Sequence, residues 1–107
     1  MITIKKNFEF KRALSRGKYL NGKYILVYFF PTKLNMLRFG FAVGKKAGNA
    51  VERNRIKRVL REAVRLSDFR VKKGYDFVVV WKNVLPAEKV NFHLISKDLN
   101  SLIEKGF

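Results

Sequence analysis

Three stretches of the chain carry hydrophobic residues at helical spacing. In the first, Phe10, Ala13 and Leu14 share one helical face. Asn7 stands before them as a capping residue, and Gly17 is placed to end the helix in the left-handed conformation. The pattern predicts a short first helix with one apolar side.

The second helical stretch predicts a strongly basic amphipathic helix. Asn49 is a good N-cap, and Glu52, three residues on, is the other half of a capping box. At 100° per residue, Arg53 and Arg55 lie on the two flanks. The apolar side consists of Ile56, Val59, Leu60, Ala63 and Leu66. The opposite side consists of Asn54, Lys57, Arg58, Arg61 and Arg65.

Strand-like patterns cover residues 18–20, 24–30, 37–44 and 76–82. The Asn21–Gly22 pair is a two-residue turn signal, and Pro31 ends the second of these strands. The third strand has one face of small residues, at Gly40, Ala42 and Gly44, which leaves room for a group to approach closely. The fourth is apolar on both faces, which favours a central strand in parallel pairing after a helical crossover.

The third helical stretch starts at the capping residue Asn91 and is closed by Gly106. Its apolar residues are Phe92, Ile95, Leu99, Leu102 and Ile103. The order of elements is therefore helix, three strands, helix, strand, helix. With no repeat, linker or low-complexity segment, this predicts one α+β domain over residues 1–107, an α-β-β-β-α-β-α sandwich with helices packed on a small mixed sheet.

Charge narrows the possible partners. The 107 residues carry a net charge of +16 with a pI near 10.5, and 48% of them are hydrophobic. The chain is therefore globular and attracts anionic partners over long range. The absence of cysteine excludes disulfides and thiolate-bound zinc. We expect a cytoplasmic protein, because the start lacks the apolar core of a signal peptide and the longest apolar run is too short to span a bilayer.

The basic helix and the loop before it carry eight cationic side chains against two carboxylates. A membrane-surface helix is disfavoured because the apolar side holds no aromatic residue. An ordinary solvated face remains the plain alternative. However, arginine outnumbers lysine five to one within the helix, and arginine suits bidentate contact with phosphates and base edges. The pattern favours nucleic-acid binding.

The sequence shows no cluster of acid, base, nucleophile or metal ligands. His93, the one histidine, falls in the first turn of the last helix, where solvent exposure is the expected role. The 45–49 loop lacks the Walker spacing of a phosphate loop. Tyr24 and Tyr28 share one strand face by parity and are either base-stacking residues or ordinary core aromatics. The protein is therefore expected to bind and position a nucleic acid, without catalysing a reaction itself.

One long motif resembles a known family. The run Lys45-Lys46-x-Gly48-Asn49-Ala50-Val51-x-Arg53-Asn54-Arg55-Ile56-Lys57-Arg58-x-x-Arg61-Glu62 is similar to the Arg-Asn-Arg signature of the protein subunit of bacterial ribonuclease P. The resemblance implies a fold like that of ribosomal protein domain 2, with a left-handed β-α-β crossover where most crossovers are right-handed. It also implies two partners, a catalytic RNA and precursor tRNA. The RNA removes the 5′ leader of the precursor, using Mg²⁺ held mainly by the RNA.

Site residues follow from the same resemblance. RNA binding falls on the signature side chains and on Arg65 beside them: Lys45, Lys46, Asn49, Arg53, Asn54, Arg55, Lys57, Arg58, Arg61 and Arg65. A leader cleft is implied at Phe10, Leu14 and Tyr28, with Leu14 standing where the family has a second aromatic. The alternatives are a ribosomal or other structured-RNA-binding protein, and a module that lays residues 53–65 in a DNA major groove. No membrane or DNA partner is expected.

Overall fold

Residues 1–71 and 73–106, which the computed structural model describes, form one five-stranded sheet with three α-helices. The strands are β1 (Ile2–Thr3), β2 (Lys18–Asn21), β3 (Ile25–Pro31), β4 (Leu37–Ala42) and β5 (Tyr75–Trp81). The helices are α1 (Asn7–Arg16), α2 (Ala50–Arg65) and α3 (Phe92–Gly106). The strand order is β1-β4-β5-β3-β2. The predicted α+β fold with a mixed sheet is confirmed, and β1, a strand of two residues, is an addition to it.

Strand β5 lies at the centre of the sheet, as its apolar pattern predicted. It pairs in parallel with β4 and antiparallel with β3. Phe77, Val79 and Trp81 are buried against α2 and α3, while Val78 is buried on the opposite face. Helix α1 packs on that opposite face. The sheet therefore separates a large core below α2 and α3 from a smaller one below α1.

Three of the predicted helix ends differ from the structure. Asn7 is the first helical residue of α1, and the capping position falls on Lys6, which makes no side-chain cap. Gly17 is extended, with φ −76° and ψ 162°, because the chain enters β2 at the next residue. A Cβ on Gly17 would lie 2.4 Å from the Ala13 carbonyl oxygen, so glycine is needed there for close approach. Gly106 is still helical and faces Leu20.

The turn between β2 and β3 lies two residues beyond the predicted Asn21–Gly22 pair. Gly22 still donates to the Ile25 carbonyl at 2.8 Å, so the loop residues are Lys23–Tyr24. The Asp98 carboxylate of α3 accepts from the three amides that follow Gly22, at 2.9, 2.8 and 3.1 Å. A side chain distant in sequence thus fixes this turn, and local turn propensity does not.

Tyr24 and Tyr28 do not share a face, so the parity prediction was wrong. Tyr24 belongs to the turn and packs against the core below α2 and α3. Tyr28, within β3, pairs with Val78 of β5 on the α1 side of the sheet. Because β3 begins only at Ile25, the alternation does not extend back to Tyr24. Of these two tyrosines, Tyr28 is the one that remains a candidate for stacking a base on that side.

Candidate nucleic-acid interface

The start of α2 is fixed by the predicted capping box. The Asn49 side chain accepts from the Glu52 amide at 2.9 Å, and the Glu52 carboxylate accepts from the Asn49 amide at 2.9 Å. Gly48, with φ 140°, turns the chain from a short 3₁₀ segment into the helix. Such a cap contributes about 1 kcal/mol. It fixes the residue at which the helix begins, while the buried residues of α2 determine which side faces outward.

The inner face of α2 departs from the predicted stripe at one end. Ile56, Leu60 and Ala63 are buried as predicted, and Val64 is buried with them. Leu66 is 58% exposed, because it is the C-cap, where the helix stops and its periodicity no longer applies. The opposite side of α2 faces away from the core and carries the cationic side chains.

Most of the predicted RNA-binding side chains of α2 and its leading loop lie at the surface. Those exposed are Lys45, Lys46, Asn49, Asn54, Arg58, Arg61 and Arg65, while Arg53 and Lys57 are half-buried. Arg65 pairs with Glu62 and thereby lowers the pKa of that carboxyl, so part of its charge is already compensated. The exposed residues form a cationic surface along one side of the helix.

Arg55 is engaged inside the protein. One terminal nitrogen donates to the Ala87 carbonyl and the other to the Val90 carbonyl, both at 2.7 Å. These bonds tie α2 to the 3₁₀ turn that precedes α3. The guanidinium of this signature residue therefore positions the helix, and the contact depends on a segment more than thirty residues away.

The small face of β4 receives a side chain of the chain itself. A Cβ on Gly40 would lie 2.8 Å from the Phe10 ring, so α1 approaches the sheet closely at this point. Further along the strands, α1 leaves a row of half-buried apolar residues uncovered. We call this row, formed by Leu26, Ala42 and Val80 on three neighbouring strands, the α1-side groove.

A cavity of about 310 Å³ connects the two predicted sites. Phe10 of α1 lines it together with Lys57 and Arg61 of α2, beyond the point where β1 stops covering the edge of β4. The Arg61 guanidinium lies over the Phe41 ring, 5.6 Å from its centroid. The predicted leader residue and two signature cations therefore lie at one place.

Sequence reasoning missed a buried ion-pair cluster below α1. Asp76 is 1% exposed, and Arg38 donates to it from Nε and Nη2, both at 2.8 Å. Arg38 also donates to Glu9 of α1 at 2.9 and 3.2 Å. The bonds to Asp76 and then Glu9 raise the pKa of Arg38. Arg12 approaches Asp76 at 3.6 Å, so two residues of α1 are tied to the sheet by charge.

The thermal midpoint of unfolding should fall as pH is lowered below about 4.5, in part through Glu9. Its hydrogen bonds with Arg38 lower the pKa of Glu9 from the ordinary 4.5. A carboxyl whose pKa is lowered by folding stabilises the protein above its unfolded pKa, and this contribution disappears as pH falls through the folded pKa. Glu9→Gln should flatten the acid side of a melting-temperature profile, and Glu104→Gln, exposed on α3, should not. Equal flattening in both variants would contradict a specific role for Glu9.

The fold and the surface together define a small basic α+β protein in which the cationic helix α2 and Phe10 of α1 meet at one cavity. A family profile described as Ribonuclease P matches residues 2–106. The chain therefore belongs to the ribonuclease P protein family. In the described part of the chain, no helix is both long and apolar enough to cross a membrane.

Individual relatives agree with the family. The ribonuclease P protein component of Natranaerobius thermophilus is 37% identical over 99% of this chain and 90% of its own length. That of Fusobacterium nucleatum is 40% identical over 99% and 97%. Among solved structures, the ribonuclease P protein of Thermotoga maritima superposes with a TM-score of 0.82 at 29% identity, covering 98% of this chain and 97% of that one. The Staphylococcus aureus protein gives 0.78 at 31% identity, over 98% and 94%.

Proposed function

We propose that this chain binds the catalytic RNA of ribonuclease P through the cationic surface of α2, and the 5′ leader of precursor tRNA through the α1-side groove. It thereby assists the endonucleolytic removal of the leader. The observation that supports both parts is the shared cavity, where Lys57 and Arg61 meet Phe10. An RNA strand bound there contacts cations on one side and an aromatic ring on the other, which suits a phosphate backbone with unpaired bases.

The bonding of the carboxylates supports assigning the cleavage step to the RNA and binding to the protein. Asp76 and Glu9 are bonded to Arg38, Glu62 to Arg65, and Asp98 to three amides of the β2–β3 turn. Such carboxylates do not fit a magnesium site, since the arginine side chains and backbone amides bonded to them compete for the same oxygens. We therefore assign the cut to the RNA, with Mg²⁺ held mainly there. In phosphodiester hydrolysis that ion supplies charge neutralisation and an activated water.

The proposal also accounts for the extreme charge. A net charge of +16 attracts a folded RNA over long range, and each phosphate that replaces bound counterions adds a salt-dependent increment of affinity. A-form RNA hides its major groove, so α2 would contact its backbone and shape and would not select bases. With RNA partners of this kind, we place the protein in the cytoplasm and assign it no DNA or membrane partner.

Replacing Arg58 and Arg61 together with Ala should weaken binding to the catalytic RNA. Both side chains are exposed on α2, and each lost phosphate contact should reduce the slope of log K against log salt by about 0.7–0.9. Filter-binding titrations at several salt concentrations measure the slope. Cleavage of a precursor tRNA at low magnesium, with and without the protein, then tests whether binding assists the reaction.

The matched control is Lys97→Ala with Lys105→Ala, which removes two exposed cations from α3. It should leave the slope nearly unchanged. Equal slopes for both double variants would mean that only total charge matters and that α2 is not the RNA face. Tight RNA binding without faster precursor cleavage would instead favour a general structured-RNA-binding protein.

A further inference from the structure

Strand β2 presents a large exposed aromatic residue at the edge of the sheet. Tyr19 is 56% exposed, although edge positions usually carry charged or small side chains. It lies directly opposite Tyr28 in the β2–β3 register, on the α1 side of the sheet. The two ring centroids are 5.3 Å apart and the planes are tilted by 38°. The aromatic surface on this side therefore continues past Tyr28 to the last strand.

The pair has a structural explanation, which has to be weighed first. Cross-strand aromatic pairs stabilise hairpins, and such a pair needs no ligand. However, more than half of the Tyr19 surface remains in water, and the ring extends the same side of the sheet that carries the α1-side groove. Leu14, the aliphatic residue of α1 in the implied leader cleft, offers no ring for stacking. Tyr19 supplies one on a neighbouring element.

We propose that Tyr19 is a base-stacking residue that extends the leader surface onto β2 and makes affinity depend on leader length. This inference rests on the proposed leader binding. The cavity that Lys57 and Arg61 share with Phe10 is lined by Gly40 and Phe41 of β4, and it adjoins the helix assigned to the catalytic RNA. Tyr19 lies three strands away, across β5 and β3. It therefore receives nucleotides further upstream from the cut than those at Phe10.

The test compares precursor tRNAs whose leaders are lengthened one nucleotide at a time. Dissociation constants are measured for holoenzyme assembled with wild-type protein, Tyr19→Ala, Tyr19→Phe and Phe8→Ala. Phe8 is the matched control, because its ring is 61% exposed on α1 and is paired with the Lys6 ammonium, 5.9 Å from its centroid, whereas Tyr19 is paired with Tyr28. Tyr19→Ala should match wild type for short leaders and lose roughly fivefold or more in affinity once the leader reaches β2. Tyr19→Phe should retain full affinity, because stacking needs the ring alone.

Several outcomes would overturn the inference. One is that Tyr19→Ala gives the wild-type dissociation constant at every leader length. Another is that Tyr19→Ala loses the same amount of affinity for all leaders and for mature tRNA. A lower melting temperature without any length-dependent loss would leave only the hairpin role. If Tyr28→Ala reduces leader affinity while Tyr19→Ala does not, the proposed leader binding is supported and the role of Tyr19 is refuted. If the affinity of the wild-type holoenzyme does not depend on the leader at all, both the proposed leader binding and the role of Tyr19 are refuted.

Discussion

Replacing Asp76 with Asn should lower the free energy of unfolding by about 3 kcal/mol or more. The carboxylate is 1% exposed and accepts two hydrogen bonds from Arg38. Removing its charge leaves a guanidinium that is only 12% exposed with a single carboxylate partner, Glu9. Urea unfolding followed by circular dichroism at neutral pH measures the loss. On a total stability of about 5–15 kcal/mol this is a large fraction.

Two companion variants show whether the unpaired charge is the cause. Glu62→Gln breaks the exposed pair with Arg65 and should cost far less, because water already solvates both groups. Asp76→Leu combined with Arg38→Met should recover part of the stability, since apolar side chains of similar volume replace the buried pair. The charges of Glu9 and Arg12 remain, but their side chains are 15% and 30% exposed and keep contact with water. If the double variant is as unstable as Asp76→Asn, shape and not charge controls this site.

Phe10→Ala and Tyr28→Ala should each weaken binding of precursor tRNA by about 1–3 kcal/mol while leaving mature tRNA almost unaffected. Both residues are half-buried beside the groove, so their rings are partly available to leader bases. The difference between the two ligands isolates the leader, because mature tRNA lacks it. Equilibrium binding to the assembled holoenzyme, with both RNAs measured under the same salt conditions, provides the comparison.

Conservative replacements separate stacking from folding. The Phe10 ring fills the space above Gly40, so Phe10→Ala also opens a gap between α1 and the sheet. Phe10→Leu keeps most of that volume and removes only the ring, and it should still lose leader affinity. Tyr28→Phe retains the ring and should therefore keep the wild-type affinity for the leader. Equal losses for precursor and mature tRNA in the alanine variants would indicate a general folding defect and refute a leader cleft.

Helix α2 was predicted well because its determinants are local. The capping box joins residues three apart, and the apolar stripe follows from helical geometry alone. The central position of β5 was also accessible, since a strand that is apolar on both faces needs cover on both. His93 is exposed as expected. For these features the deciding residues are close in sequence or the pattern itself requires burial, so the sequence was sufficient.

The wrong helix ends at Asn7 and Gly106 were local errors, but several other missed features depend on distant partners. Strand β1 has two residues and exists only because β4 lies beside it. The Asp76–Arg38 pair joins neighbouring strands separated by the whole of α2. In the sequence, Arg55 cannot be distinguished from the other signature arginines. Only the folded chain brings the two carbonyls that it binds close to it. Tyr19 carried no signal by itself, because its importance comes from register opposite Tyr28.

The Asp98 carboxylate also affects when the turn between β2 and β3 is fixed during synthesis of the chain. Its bonds to the β2–β3 turn span 73 to 75 residues, so the turn lacks this support until α3 has been synthesised. Contacts of such long sequence separation form late and slow folding, because the intervening chain must first be ordered. The bonds that fix this turn are thus among the last contacts to be completed during translation. A ribosome-bound chain that ends directly after α2 would lack both the Asp98 bonds to this turn and the carbonyls that hold Arg55, so neither of the two proposed RNA surfaces would be complete.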